Sequence, residues 1–262
     1  MDQPPHPILL RADTDGIAWL TLNRPAQRNA LSTALMAALQ AELDAIAADR
    51  AVRVVVIAGA GPAFCAGHDL REIRADARRE AYAALFAQCS RLMLTLTRLP
   101  QPVIARVHGV ASAAGCQLVA TCDLAVAGEG AHFATPGVDI GLFCSTPMVA
   151  LTRAIGRKPA MEMLLTGDML PAAEARARGL INRVVPDAEL DTAVRALAGQ
   201  IAAKSPLTLR IGKEAFYRQA EMDLEAAYAY ASEVMTANML AHDAAEGIDA
   251  FLQKRPPVWT GT

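Results

Sequence analysis

The feature that most constrains the fold is a unit that occurs twice: a β-branched apolar run, a loop of small residues and a helix. The first run is VRVVVIAG at residues 52–59, followed by the loop AGPAFCAG and a helical pattern from Asp69. The second run is PVIARVHG at 102–109, followed by the loop VASAAG and a helix from about Cys116. Near-continuous apolar runs are typical of strands buried on both faces of a helix-covered parallel sheet. We therefore expect an α/β fold.

The segments around these two units complete the pattern of the first half. Residues 8–23 predict a β-hairpin that turns at Asp15-Gly16. The next segment has apolar residues at three- and four-residue spacing, which predicts a helix. These residues are Leu31, Leu35, Leu39, Leu43 and Ile46. A further helix is predicted over 80–99, and short strands over 122–128 and 131–136.

From about residue 147 the strand patterns nearly vanish, and helical patterns continue to the end of the sequence. One of these helices begins at LPAAEA, with Pro171 near its first turn, where proline is well tolerated. We expect a β/α core over residues 1–186 and a helical C-terminal region over 187–262.

Composition narrows the class of protein. With 262 residues, of which 53% are hydrophobic, the chain is long enough to bury a large core. The 25 basic and 27 acidic residues give a net charge of -2, which gives no indication of a nucleic-acid partner. The five cysteines show no CxxC spacing, and we see neither a signal peptide nor a run of about 18 apolar residues. We expect a soluble cytoplasmic protein with reduced thiols and no membrane partner.

The two small-residue loops carry the first chemical indication. Each leads into the N-terminus of a predicted helix, where backbone N–H groups lack intrahelical acceptors and carry partial positive charge. Two such ends, at 64–68 and 112–116, can converge on one oxygen and stabilise an oxyanion. The alternative is that both are only tight turns between a strand and a helix.

Longer motifs at the same places indicate a family. The segments AGAGPAFCAGHDLREI (58–73) and PVIARVHGVASAAGCQLVATCDLAVAGEGAHFATPGVDIGL (102–142) resemble the enoyl-CoA hydratase/isomerase, or crotonase, superfamily. The likeness runs from LTLNRPAQRNAL near the start to EGIDAFLQKR near the end. Within the superfamily, FCAGHDL, AAGCQLVATCD, GLFCSTP and FLQKRPPVW resemble the enoyl-CoA hydratase domain-containing protein 3 group.

The resemblance implies an α/β crotonase-type spiral of ββα units, followed by a C-terminal helical trimerisation region, in homotrimers or dimers of trimers. It also implies an acyl-CoA ligand whose thioester carbonyl accepts two backbone N–H bonds, from His68 and Ala114. Ala114 stands where the family usually has glycine. The His68 ring either acts as an acid or base or only lines the pocket, and Asp69 is expected to cap the following helix.

The rest of the implied ligand site is less local. Arg28 and Ala66 match positions that meet the CoA phosphates and adenine in the family. Phe251 and Lys254 match a C-terminal pair that reaches the adenine and phosphates, often from a neighbouring subunit. The resemblance implies no metal and no permanently bound cofactor, because coenzyme A enters as part of the substrate.

Two positions depart from the family pattern. Gln117 and Gly137 stand where resembling hydratases carry the two glutamates that move protons. A carboxamide can orient water but neither takes nor gives a proton near neutral pH. Asp139 is a candidate substitute because, if its segment is extended, residues two apart face the same side; the alternative is a structural hydrogen-bond acceptor. Ser145 matches a position where some relatives have a catalytic aspartate, although a capping or packing role before Pro147 is the alternative.

These observations leave three functions open. One is an enzyme of fatty-acyl-CoA metabolism, of the lyase or isomerase class, that lacks the standard hydratase glutamates. The others are a non-catalytic acyl-CoA-binding or regulatory protein and, because the C-terminal helices predict an oligomer, a structural or assembly subunit. The neighbouring Cys116 and Cys144 are interpreted as small buried apolar residues rather than as nucleophiles.

Overall fold

The structure, a computed structural model, describes residues 7–262. Its strands are β1 (Leu9–Thr14), β2 (Ile17–Leu22), β3 (Val54–Gly59), β4 (Val103–Val107), β5 (Val110–Ser112), β6 (Leu124–Gly128), β7 (His132–Ala134), β8 (Leu170–Pro171) and β9 (Arg183–Val185). Its helices are α1 (Thr33–Ala48), α2 (Leu70–Ala75), α3 (Arg79–Arg98), α4 (Ala114–Thr121), α5 (Ser145–Ala154), α6 (Arg157–Thr166), α7 (Ala172–Ala177), α8 (Leu190–Ala202), α9 (Pro206–Gln219), α10 (Leu224–Met239) and α11 (His242–Leu252). Short 3-10 helices cover Pro25–Gln27, Pro136–Ile140 and Asp187–Glu189.

The main sheet has the strand order β1-β2-β3-β4-β6-β9. The predicted hairpin is confirmed, because β1 and β2 pair antiparallel on either side of Asp15-Gly16. The other neighbours in this sheet pair parallel. A second sheet in the order β5-β7-β8 begins where the small-residue loop after β4 was predicted. That loop therefore contains a short strand, and α4 begins at Ala114, two residues before the expected start.

Strand β3 shows why its sequence is apolar throughout. Val55 and Ile57 belong to the large core that also contains side chains of α1, α3 and α4. Val54 and Val56 face the other side of the sheet and pack with side chains of α8. Because both faces are covered, alternation of apolar and polar residues is lost, as is expected for a buried parallel strand.

The helix predicted from Leu31 onward begins later. Ser32 is its N-cap, and the Ser32 hydroxyl accepts a hydrogen bond from the Leu35 N–H at 3.1 Å. Leu31 instead pairs with His68 in an isolated parallel bridge. Leu31 is fully buried, so its apolar character reflects this pairing rather than a helix face.

The C-terminal region has two parts with different surroundings. Helix α8 packs on the main sheet through Leu190, Val194 and Leu197. Helices α9 to α11 carry exposed large apolar side chains, among them Leu224 at 75% and Phe251 at 83%. The division at residue 187 stays a prediction. No helix within residues 7–262 combines the length and the apolar character that a membrane crossing requires.

Candidate functional site

The two small-residue loops lie side by side. Cys65 pairs with Ala111 in a parallel bridge. The Cys65 N–H donates to the Val110 carbonyl at 3.1 Å, and the Ser112 N–H donates to the Cys65 carbonyl at 2.9 Å. A Cβ atom added to Gly67 would lie 3.4 Å from the Ala114 nitrogen. The backbone around His68 is therefore held against the start of α4.

The backbone N–H of His68 points away from Leu31, with which His68 forms a parallel bridge. The Leu31 N–H donates to the Gly67 carbonyl at 2.7 Å. In a planar trans peptide the C=O and N–H groups point in opposite directions, so the next N–H, that of His68, is directed away from Leu31. No backbone acceptor for it is found among the described residues.

The Ala114 N–H is free for a different reason. Ala114 is the first residue of α4, and the first N–H groups of a helix have no intrahelical acceptor. The carbonyl of Ala113 accepts the first helical bond, from the Gln117 N–H at 2.9 Å. Within residues 7–262, then, adjacent loops present two backbone donors without acceptors.

The residue before this donor has an unusual backbone. Ala113 has φ 49° and ψ -114°, close to the first central position of a type II′ turn, which glycine normally occupies. The Ala113 N–H donates to the Ala134 carbonyl at 2.9 Å, which ties the turn to β7. Positive φ at a non-glycine residue costs roughly 1–3 kcal/mol and is concentrated at functional sites. The strain lies at Ala113, not at Ala114.

Gln117 lies one turn after Ala114 and on the same side of α4, since residues three apart on a helix are neighbours. Its side chain is buried. The carboxamide oxygen receives a weak contact from the Cys89 thiol at 3.9 Å, and the amide nitrogen has no partner among the described residues. The structure thus brings Gln117 next to the two backbone donors.

Gly137 is placed very differently. It lies in the 3-10 helix Pro136–Ile140, and the chain then folds back so that the Leu142 N–H donates to the Gly137 carbonyl at 2.8 Å. A Cβ atom added to Gly137 would lie 2.7 Å from the Leu142 oxygen and 2.9 Å from the Cys144 sulfur. The room that a larger side chain would need is filled by residues 142–144.

Asp139 was expected to share a face with Gly137 only if its segment were extended, and that condition is not met. The segment is helical rather than extended, so residues two apart do not face the same side. Asp139 is exposed, and both of its carboxylate oxygens lie 3.2 Å from where a Cβ of Gly167 would be. The carboxylate thus lies against the loop that follows α6.

Ser145 is the first residue of α5 and is exposed. Its hydroxyl donates to the Phe143 carbonyl at 3.3 Å, and within residues 7–262 no side chain caps the N-terminus of α5. Among the described residues, no general base contacts this hydroxyl. A catalytic role for Ser145 has no support in these contacts.

The His68 ring is the one titratable side chain that the oxyanion residues themselves supply. It packs edge-on against Phe86 of α3, with ring centroids 5.9 Å apart. Both ring nitrogens are buried, and within residues 7–262 neither makes a hydrogen bond of ordinary length and angle. Burial lowers the pKa of His68, against smaller opposing effects of the Leu31 backbone and Glu72. The ring is therefore neutral at pH 7.

Asp69 has the predicted capping role. Its carboxylate accepts a hydrogen bond from the Arg71 N–H at 3.2 Å at the start of α2. It also pairs with Arg24, whose Nη2 atom lies 3.0 Å from Oδ2. Capping by Asp69 is confirmed.

The cysteines around the site are all buried and free. Burial raises the pKa of Cys65 and Cys116 to about 12 and that of Cys89 to about 11. It also raises the pKa of Cys144. Since the thiolate is the nucleophilic form, these values favour the interpretation of the cysteines as packing residues.

The residues predicted to hold coenzyme A fall into two places. Arg28 is exposed in the left-handed conformation, and its carbonyl accepts a bond from the Ala66 N–H at 3.0 Å. Phe251 lies near the end of α11 and is 83% exposed, and Lys254 follows with φ 56°. Phe251 lines an apolar groove of about 400 Å³ in the C-terminal helices.

The sequence does not predict that α3 contributes residues to the site. Phe86 contacts the His68 ring and Cys89 contacts the Gln117 amide. The helical spacing of Leu85, Cys89 and Leu92 indicates a buried face, but spacing does not say which loop that face meets. Within the described chain, no group of three or more His, Cys, Asp or Glu side chains is arranged to hold a metal ion.

Comparison with known proteins places the chain in a family. The family model described as Enoyl-CoA hydratase/isomerase matches residues 12–262. The chain belongs to this family. Human enoyl-CoA hydratase domain-containing protein 3, mitochondrial, is 46% identical over 259 residues, which cover 99% of this chain and 85% of the human protein.

Solved structures agree with this assignment. An enoyl-CoA hydratase from Mycobacterium smegmatis is 54% identical, with a TM-score of 0.95 over 97% of this chain and 99% of that one. The crystal structure of the human domain-containing protein 3 gives a TM-score of 0.94 at 46% identity, covering 97% of this chain and all of that chain. The resemblance to the enoyl-CoA hydratase/isomerase family and the expected crotonase fold are confirmed.

Proposed function

We propose that this protein binds an acyl-CoA thioester and polarises its carbonyl between the backbone N–H groups of His68 and Ala114. The observation that carries the proposal is the pair of unused donors, which adjacent loops present side by side. A thioester carbonyl has two lone pairs and accepts both bonds.

The two donors favour negative charge on that oxygen. The Ala114 N–H belongs to the N-terminus of α4, where the helix dipole adds partial positive charge. In enzymes that use such a hole, losing one donor costs about 2.7–4 kcal/mol of transition-state stabilisation. An enolate or a tetrahedral intermediate, with its negative charge on the thioester oxygen, is the species that this arrangement would stabilise.

We do not expect the protein to hydrate enoyl-CoA at the rate of an enzyme with two catalytic glutamates. A carboxamide stands at position 117 and no side chain stands at 137. General acid–base assistance is typically worth about 10²–10⁴ in rate. We therefore propose an enzyme of acyl-CoA metabolism whose reaction does not depend on these two groups, with weak or absent hydratase activity.

The coenzyme A portion is proposed to contact Arg28 and Ala66 of one subunit and Phe251 and Lys254 of a neighbouring one. The exposure of Phe251 and of the apolar surface around it supports a second copy as the partner, in a homotrimer or a dimer of trimers. We propose a cytoplasmic location on the basis of the reduced, buried thiols. Relatives named mitochondrial make mitochondria the alternative.

The other candidate function is a non-catalytic acyl-CoA-binding or regulatory protein. The observation that favours it is the filled space at Gly137, because residues 142–144 occupy the room of a second proton carrier. In this alternative the protein binds the same ligand through the same two backbone N–H groups but does not convert it.

Binding is tested with two ligands that differ only at the carbonyl. Butyryl-CoA carries the thioester oxygen, and S-butyl-CoA is the thioether without it. Two hydrogen bonds of ordinary strength predict that calorimetry finds the thioester at least about 10-fold tighter. Equal affinities would contradict the oxyanion contacts. Turnover assays with enoyl-, 3-hydroxyacyl- and malonyl-CoA esters then separate the enzyme from the binding protein.

A further inference from the structure

The side chain of Asn29 joins the segment before α1 to the loop after β3. Asn29 is fully buried. Its amide nitrogen donates to the carbonyls of Ala60 and Ala63, each at 2.8 Å. Its carboxamide oxygen accepts a hydrogen bond from the Arg24 N–H at 2.9 Å. Three hydrogen bonds of one side chain therefore hold the loop 60–63 against the segment that contains Asn29.

The backbone at Arg28 and Asn29 is in a disfavoured conformation. Their φ angles are 48° and 55°, in the left-handed region that residues other than glycine adopt infrequently. Such backbone persists only where the surroundings fix it, and it is concentrated at functional sites. Here the surroundings are the side-chain contacts of Asn29 and the Asn29 N–H, which donates to the Arg24 carbonyl at 2.9 Å. Asn29 thus fixes the direction in which the chain leaves Arg28.

Both residues that are proposed to contact the nucleotide end of coenzyme A adjoin these fixed points. Arg28 immediately precedes Asn29, and its carbonyl accepts the Ala66 N–H at 3.0 Å. Ala66 follows by three residues the Ala63 carbonyl that Asn29 holds. The Arg28 side chain is exposed, and a guanidinium forms strong charge-assisted hydrogen bonds with phosphate. One buried carboxamide therefore adjoins both proposed contacts.

The loop 60–63 also has contacts that do not involve Asn29. The His108 Nε2 atom lies 2.7 Å from the Gly61 carbonyl, and the Ala60 N–H donates to the Leu22 carbonyl at 2.9 Å. Removal of the Asn29 amide leaves these contacts in place and frees the carbonyls of Ala60 and Ala63. We therefore expect such a change to loosen the loop without unfolding the protein.

We infer that Asn29 is a positioning residue for the coenzyme A portion of the ligand. Its carboxamide sets the direction of Arg28 and of the Ala66 backbone before the ligand binds. Asn29 is fully buried and acts only through these two neighbours. The inference rests on the proposed function, in which Arg28 and Ala66 contact the phosphates and adenine. Asn29 should then contribute to the affinity for the nucleotide end and not to that for the acyl thioester.

The test compares butyryl-CoA with butyryl-pantetheine, which keeps the thioester and lacks the nucleotide and its phosphates. Asn29→Asp keeps the size of the side chain but presents an oxygen to the carbonyls of Ala60 and Ala63. Loss of one hydrogen bond to a charged phosphate predicts that calorimetry finds the preference for butyryl-CoA reduced by about 10-fold or more. The affinity for butyryl-pantetheine should stay unchanged. Asn29→Gly adopts the left-handed backbone freely, lacks the amide and should give the same result.

Gln101→Glu is the matched control. The Gln101 carboxamide is also buried and donates to two carbonyls, those of Ile46 at 2.8 Å and Asp49 at 3.3 Å. Gln101 precedes β4, whereas the loop 60–63 follows the parallel neighbour β3, so the two lie at opposite ends of the sheet. The control makes the same change of amide to carboxylate. It should lose stability and keep the full preference for butyryl-CoA.

Arg28→Gly separates the inference from the proposed function. If the wild type does not bind butyryl-CoA, or if Arg28→Gly keeps the wild-type preference, the proposed contacts fail. If Arg28→Gly reduces the preference and both Asn29 variants keep it, the contacts stand and the inference is wrong. An equal loss of affinity for both esters in the Asn29 variants would show a structural role alone and would also overturn it.

Hydrogen exchange of the wild-type Asn29 carboxamide needs no variant. If the amide holds the loop before the ligand binds, NMR should find slow exchange in the ligand-free protein, comparable with that of the Gln101 carboxamide. Fast exchange that becomes slow only with butyryl-CoA would contradict a site arranged in advance.

Discussion

Two groups of buried polar side chains in this molecule differ in how their hydrogen-bonding atoms are used. The anchor cluster consists of Asp123, Lys213 and Tyr217. The Lys213 ammonium contacts Asp123 at 2.6 Å and donates to the carbonyls of Leu96 and Gln101 at 2.9 and 3.0 Å. The Tyr217 hydroxyl donates to the other Asp123 oxygen at 2.8 Å. All three donors of the ammonium are therefore satisfied.

The unsatisfied pair, His68 and Gln117, is the opposite case. Its ring nitrogens and amide nitrogen have no partners among the described residues. A satisfied cluster stabilises the fold and leaves nothing for a ligand, whereas an unsatisfied one costs stability and leaves its hydrogen bonds to be completed on binding. Removing a polar group from the anchor cluster should thus lower the free energy of unfolding, and removing one from the unsatisfied pair should not.

The largest effect is expected in the anchor cluster. Lys213→Met leaves the half-buried Asp123 carboxylate without its positive partner, which should lower the free energy of unfolding by up to about 3–5 kcal/mol. Urea denaturation measures this. The control is Arg153→Met, which breaks an exposed ion pair with Glu221 and should cost less than about 1 kcal/mol. Similar losses in both variants would show that the contacts of Lys213 stabilise the protein no more than an exposed ion pair does.

Gly137→Ala should have the next largest effect. The added methyl group would press on the Leu142 oxygen and the Cys144 sulfur, so we expect a loss of about 1–3 kcal/mol by urea denaturation. Gly199→Ala is the matched control: it lies in α8 with open space at its Cβ position and should gain about 0.4–1 kcal/mol. If Gly137→Ala is as stable as the wild type, residues 142–144 move aside at little cost in free energy.

The same crowding limits attempts to restore hydratase chemistry. The double substitution of Gln117 and Gly137 by glutamate restores the two residue types that hydratases of the family carry. The second of them needs room that Leu142 and Cys144 now fill. Crotonyl-CoA hydration by the double variant is therefore expected only if this segment also moves.

His68→Phe should act in the direction opposite to the anchor-cluster variant. It removes two buried nitrogens that have no partners, so the ligand-free protein should be unchanged or up to about 1 kcal/mol more stable. His108→Phe is the comparison, because its ring nitrogens contact Arg106 at 2.8 Å and Gly61 at 2.7 Å. That variant should lose about 1–3 kcal/mol in thermal or urea unfolding. A comparable loss at His68 would show that its nitrogens are satisfied.

Much of the fold could be predicted because its signals are local. The apolar run of β3, the Asp15-Gly16 turn and the Asp69 cap each depend on a few neighbouring residues, and each is confirmed. Leu31 shows the limit of spacing, because its apolar character fits a helix and a bridge equally well. Only the tertiary structure decides between them.

The site was predictable in its residue types but less so in its geometry. The absence of glutamates at 117 and 137 is visible in the sequence, yet the filling of the second position by Cys144 depends on the chain folding back. Asp139 lies in a 3-10 helix that begins at Pro136 rather than in an extended segment, and the residues around it do not show this in the sequence. The unpartnered His68 nitrogens depend on what α3 and α2 bring near the ring, which no local pattern contains.

The smallest expected effect concerns two adjacent alanines at the proposed oxyanion hole. Ala113→Gly relieves a positive φ that glycine adopts freely, and should raise the free energy of unfolding by about 0.5–1 kcal/mol after the entropy cost of glycine. Ala114→Gly should lower it by about the same amount, since Ala114 has no positive φ and starts a helix. Urea denaturation measures the free energy of unfolding of both variants. A loss of stability in both would contradict strain at Ala113. If opposite signs are found, the turn before the Ala114 N–H is held against its own preference, as is expected where a donor must be aimed at a ligand.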